Sequence, residues 1–129
     1  MLEAAALLAT AILLGGMTFF SFGFAPVLFK LLPLEQVRPI LRGTFPHYYF
    51  AVIAVGALCT ALALPQSTLA ALILALITLS TVYARQTLMH QINKAADAKD
   101  KRKFGQLHGA SVVIQLIQLG LCAWALLLL

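Results

Sequence analysis

Apolar residues in this chain do not alternate with polar ones; they run in four long blocks, separated by short stretches that hold nearly every charge. The first block covers residues 4–29 and contains no charged side chain. As a helix rising 1.5 Å per residue it is about 39 Å long, more than the ~30 Å of a hydrocarbon layer, so it must tilt or kink. Pro26 offers a break. The second block runs over about 48–64, the third over 68–84 with a helical continuation to about residue 96, and the fourth over 107–129. Each is long enough to cross a bilayer as a helix, given some tilt or flanking anchors. The pattern predicts an all-α fold: an integral membrane four-helix bundle running up-down-up-down, with residues 1–129 as a single transmembrane domain.

The stretches between blocks refine this picture. "PLEQVRPILRGTFP" places Leu34, Val37 and Leu41 on one side and Arg38 and Arg42 on another, which predicts a short interfacial helix between spans one and two, bent or brief because of Pro39. Tyr48 and Tyr49 stand at the depth where aromatic rings anchor a span. "PQST" at 65–68 is a tight turn in which Ser67 or Thr68 can cap the third helix. Within the first span Ala11 and Gly15, four residues apart, mark a face where another helix could approach closely.

Composition agrees with a membrane setting: 62% of residues are hydrophobic and 10% charged, against about 25% charged in a soluble domain. A signal peptide is the cheaper reading of the start, but Glu3 stands where a basic n-region belongs and the apolar run is too long. All nine lysines and arginines lie between spans one and two or around the junction of spans three and four. With four spans these fall on one side, so the positive-inside rule expects cytoplasmic basic loops and both termini outside; the reading adopted is a bacterial inner-membrane protein. Five of the cations lie in "KAADAKDKRK", interleaved with Asp97 and Asp100. That mixture fits a topology determinant touching lipid headgroups rather than a nucleic-acid surface. Cys59 and Cys122 are too few for a disulfide framework and read as buried free thiols. A small bundle with several apolar faces is also open to assembly as a homo-oligomer.

The chemistry worth following lies inside the spans. His108, Ser111, Gln115, Gln118 and Cys122 recur at intervals of three and four, within a helical sector of about 80°. Thr78, Thr81 and Arg85 form a second stripe on the third span, within about 60°. Counting residues from the outer ends, Arg85 and His108 come out near the cytoplasmic boundary, about 26 and 32 Å along their helices. Gln115 and Gln118 come out near the bilayer middle, about 21 and 17 Å along. Polar groups at that depth turn toward protein or a wet cavity. One reading is a ligand or ion crevice between helices three and four, open to the cytoplasm at an Arg85/His108 mouth, with Thr81, Ser111, Gln115 and Gln118 as walls. The other is that amides and hydroxyls join helices together and Arg85 snorkels.

A cofactor reading rests on His47, His90 and His108, all on the cytoplasmic side. A bis-histidine haem b would use His108 with His47, the better matched pair in depth. No carboxylate lies inside a span beyond Glu3 and no glycine-rich phosphate loop precedes a helix, so the usual catalytic sets are missing. Three functions remain: binding or passing a small polar or anionic ligand, haem-based redox chemistry, and packing against a larger membrane complex.

"GGMTFFSFGFAPVLF", "FPHYY", "RQTLMHQIN" and "FGQLHGASVVIQL" together resemble the transmembrane protein 205-like family, domain of unknown function 4149. His108 and Ser111 in "FxxLHxxS" carry the most specific part of the likeness, and Arg85 and Pro46 also fall on the pattern. His90 and Gln115 stand where many members have proline and asparagine. The resemblance implies a compact four-helix membrane bundle, distantly similar to the CopD copper-resistance and HemJ haem-synthesis membrane proteins.

Overall fold

A computed structural model describes residues 1–129. The chain forms four long helices, Leu2–Leu31, Leu34–Ala63, Thr68–Asp97 and Lys101–Leu128, joined by two to four residues at each corner. Each is long and apolar enough to span a membrane, and the structure contains no strand. The first helix packs on the second and fourth, and the third packs on the same two, while the diagonal pairs scarcely approach. The result is a square up-down-up-down bundle. Both termini and the 64–67 turn lie at its apolar end; the 32–33 and 98–100 turns lie at its basic end.

Large side chains cover the outside, among them Ile12, Phe22, Leu72, Leu79, Ile117 and Trp124, as lipid contact requires. The core toward the apolar end is built from smaller groups: Cys59, Ala63, Ala70, Ala71, Leu74, Cys122 and Ala125 are almost completely buried together. The second and third helices approach closely at Gly56, where an added Cβ would stand 2.4 Å from the Thr78 hydroxyl oxygen. Only glycine lets the second and third helices meet there. By contrast Ala11 and Gly15 face outward, and a Cβ on Gly15 would meet nothing within 4 Å. The expected close approach on the first helix is therefore not an internal one. Small residues permit contact but do not direct it, and the larger Leu13 and Met17 take the inward face.

Two further expectations change. "PLEQVRPILRGTFP" is not a separate interfacial helix; it forms the first turns of one unbroken helix, with Pro39 and Pro46 inside it. Each proline removes one ladder bond, yet both stand near the polar end, and Val37 is fully buried and ties this segment to the bundle. The first helix likewise continues through Pro26. It does so because residues Phe19–Phe24, just ahead of the proline, widen into a π-helical turn. The wider turn accommodates a residue without an N–H. A second π turn, Ala84–Leu88, interrupts the third helix at Arg85.

Caps close the corners. The Ser67 hydroxyl accepts from the Ala70 N–H at 3.2 Å, as the turn sequence anticipates. Asp100 accepts from the Lys103 N–H at 3.1 Å and starts the fourth helix. Lys99, between the third and fourth helices, takes a left-handed conformation with φ 56°.

Candidate functional site

The two glutamines of the fourth helix turn to opposite neighbours. Gln118 is buried against the third helix, where its amide nitrogen donates to the Ser80 hydroxyl at 2.7 Å and the Thr81 hydroxyl at 3.0 Å. Both hydroxyls in turn donate to the Ile77 carbonyl, at 2.9 and 2.8 Å. This is a closed cluster: each hydroxyl spends its proton on the backbone and accepts from the amide. It brings together the predicted Gln118 and Thr81, and it joins helices three and four.

Gln115 faces the other way. Its amide nitrogen donates to the Ser21 hydroxyl of the first helix at 2.8 Å and to the Tyr48 hydroxyl of the second. The first π turn carries Ser21 toward this point, and Phe20, beside it, stacks on the Tyr48 ring with centroids 3.9 Å apart. Gln115 thus belongs to a joint of helices one, two and four, not to the face shared by three and four. Thr78 also leaves the predicted stripe, since it lies against Gly56 of the second helix. Three residues leave the Gln115 and Gln118 side chains about 60° apart around the helix, enough for one to reach the third helix and the other the first and second.

Arg85 is half-buried and reaches the second helix, where its Nε donates to the Pro46 carbonyl at 3.3 Å. The second π turn supplies the rotation that aims it there. It does not line the cavity beside His108.

That cavity, of about 50 Å³, opens at the basic end between the second, third and fourth helices. Arg42, Phe45 and Tyr49 come from the second helix, Met89, Ile92 and Asn93 from the third, and His108 and Ser111 from the fourth. His108 is largely exposed, and its ring lies parallel to that of Phe104 with centroids 5.7 Å apart. The polar lining is rich in donors and holds no carboxylate: a guanidinium, an amide, an imidazole and two hydroxyls. Such a lining favours an anion or a polar group with acceptor oxygens. Asp97 stands one helical turn beyond Asn93, outside the lining. Its carboxylate takes a bidentate pair of bonds from the Arg42 guanidinium, at 2.7 and 2.9 Å. Arg42 beside it holds the Asp97 carboxyl below the usual range, and the pair raises the Arg42 guanidinium.

Of the predicted residues, His108 and Ser111 thus share a cavity, Gln118 and Thr81 share a cluster, and Gln115 and Arg85 each bind a different helix. His47 and His90 are exposed and outside the cavity lining. Sequence reasoning missed Arg42, Tyr49 and Asn93. A signal for them exists: Arg42, Phe45 and Tyr49 repeat at three and four, as do Met89, Ile92 and Asn93 at three and one. The repeat is divided among three readings of the sequence: Arg42 falls in the expected interfacial helix, Tyr49 among the aromatic anchors of span two, and Asn93 in the extension of helix three.

Residues 8–101 match the domain of unknown function DUF4149. The chain belongs to the DUF4149 family. This bears out the resemblance drawn from the sequence at the level of that family. The matched DUF4149 residues run through the first three helices and stop at the start of the fourth. Arg42, Tyr49 and Asn93 therefore lie inside the DUF4149 match, and His108 and Ser111 beyond it. No curated protein and no solved structure matches the chain.

Proposed function

We propose that this multi-pass protein resides in a bacterial inner membrane and binds a small polar or anionic ligand from the cytoplasmic side. The observation that carries this reading is the donor-rich, carboxylate-free cavity at the basic end. His108 and Ser111 form one wall, as the sequence anticipates, with Arg42, Tyr49 and Asn93 opposite. Deeper in the bundle, outside the cavity lining, Gln115, Gln118 and Thr81 bond to protein partners and serve as internal joints, and Arg85 fastens the second helix to the third through Pro46. Amides engaged with protein rather than lining the cavity fit a binding pocket more closely than an open conduit. The excess of lysine and arginine at the pocket's end of the bundle orients it toward the cytoplasm.

The test is an NMR survey of the purified protein in neutral lipid nanodiscs, titrated with small carboxylates, phosphate and neutral polar solutes. At least one solute should shift the backbone amides of Tyr49, Asn93 and Ser111 in a saturable way, and Ser111→Val with Tyr49→Phe should abolish the response while the helical spectrum persists. If no solute of any kind moves those amides, the binding reading is wrong. Orientation is tested separately: a cysteine placed at Lys99 should resist impermeant thiol reagents in intact cells, and one at Gln66 should react.

A further inference from the structure

We propose that the ligand is an oxyanion with two oxygens to present, a carboxylate or a phosphate group, and that Asp97 is its built-in competitor for Arg42. This rests on the binding reading above and narrows it.

A guanidinium offers parallel N–H bonds that match two oxygens on one atom, and here both bonds are made, NH1 to Oδ1 and NH2 to Oδ2. Arg42 is at once the partner of Asp97 and a wall of the cavity. The carboxylate that Arg42 binds is thus held outside the pocket, while the remaining polar lining offers donors and contains no acid. Asn93 and Asp97 are four residues apart on the third helix and so lie on one face, one turn from each other. An oxyanion entering beside Asn93 would meet the same fork that Asp97 occupies, with Asn93, Ser111 and His108 able to donate to its remaining oxygens.

The pair is also suited to exchange. Arg42 and Asp97 side chains are 50% and 62% exposed, and ion pairs in water add little to stability because solvent replaces each partner readily. A deeply buried pair would hold its geometry; this one can open without stranding a charge in apolar surroundings. The room available, about 50 Å³, accommodates a few water-sized groups. That suits a carboxylate or phosphate head rather than a whole aromatic metabolite, with the rest of the molecule outside. Such a head could come from a soluble anion or from a lipid whose headgroup reaches the basic end of the bundle.

The experiment uses the full chain in phosphatidylcholine nanodiscs at fixed ionic strength. Inorganic phosphate and acetate are titrated by the same amide shifts, and in a second arm phosphatidic acid is built into the discs. Asp97→Asn should tighten binding of the oxyanion about tenfold by removing the competitor. Arg42→Gln should weaken it at least tenfold, and Arg42→Lys, which keeps the charge but not the fork, should weaken it several-fold. This pattern with free phosphate or acetate supports the inference with a soluble source. The same pattern confined to phosphatidic acid supports it with a lipid source. Oxyanion binding that is indifferent to Asp97→Asn overturns the competitor role, and saturable binding of neutral solutes with no response to any oxyanion overturns the ligand class; in both cases the pocket itself stands. Silence toward every solute overturns the inference together with the binding reading. Circular dichroism of Asp97→Asn should match the unsubstituted protein, since the substituted carboxylate is at the surface.

Discussion

The two ends of this bundle solve helix packing by different means. Toward the apolar end the helices approach closely over glycine, alanine and cysteine, with Gly56 against Thr78 and with Cys59, Ala63, Ala70, Cys122 and Ala125 fully buried. Toward the basic end the space between them is taken by aromatic rings, half-buried polar groups and a cavity between three helices. In lipid there is no hydrophobic drive to press helices together, so close packing and internal hydrogen bonds carry the association. One end relies on the first, and the polar joints at mid-depth supply the second. What this teaches is where change is tolerated: the end packed on small residues has little slack, whereas the end that holds the cavity has room for a small group and for movable side chains.

The sharpest way to break that contrast is to add volume at the tight end. Gly56→Leu should cost about 3 kcal/mol, because any Cβ at this position collides with Thr78 and a tightly packed crossing cannot absorb it without moving a helix. Gly120→Leu, on the fourth helix where a Cβ would meet nothing within 4 Å, should stay within about 0.5 kcal/mol of the parent. Reversible unfolding in mixed micelles measures both, and equal effects would show that the apolar end is looser than its packing suggests.

A smaller effect tests the joints. Gln118→Leu should cost about 1 kcal/mol, the worth of one or two interhelical hydrogen bonds in a membrane. The loss is limited because Ser80 and Thr81 keep the Ile77 carbonyl as acceptor and neither hydroxyl proton is stranded. A loss of several kcal/mol would mean that the cluster acts as one cooperative unit rather than as separable contacts.

These two sites also mark the boundary of what the sequence discloses. Four apolar blocks, the order of the spans, the Ser67 cap and the inward turn of Gln118 toward Thr81 all follow from period, length and the cost of a bare polar group in hydrocarbon. Gly56 does not: eight glycines look alike in the chain, and only the meeting of two helices distinguishes the one that is pressed. The partners of Gln115 and Arg85 were hidden for another reason. Both depend on π turns, which insert a residue and rotate everything after them, and a 100° periodicity projected along an ideal helix passes over such insertions. Arg42 was hidden because Pro39 and Pro46 argue against a continuous helix, and the structure keeps the helix nonetheless.

The smallest predicted effect concerns the basic end alone. Asp97 is held below the ordinary carboxylate range by the Arg42 guanidinium, which bonds to it and stands opposite in charge. A depressed folded value means that any stability from the pair is present above the unfolded value, hence fully at neutral pH, and is lost as pH falls through the depressed folded value. Raising the pH above neutrality should change nothing at this site. Both side chains are exposed, so the unfolding free energy should barely respond, and what response there is should shrink in high salt. The informative measurement is therefore the site itself: the Asp97 carboxyl carbon, followed by NMR, should titrate below the usual range in the parent and return to it in Arg42→Gln. A normal titration in both would mean that the two groups are not paired in the membrane. A carboxylate that has already left Arg42 is no competitor for it, and the contrast between a closed end and an exchangeable one would then rest on the cavity alone.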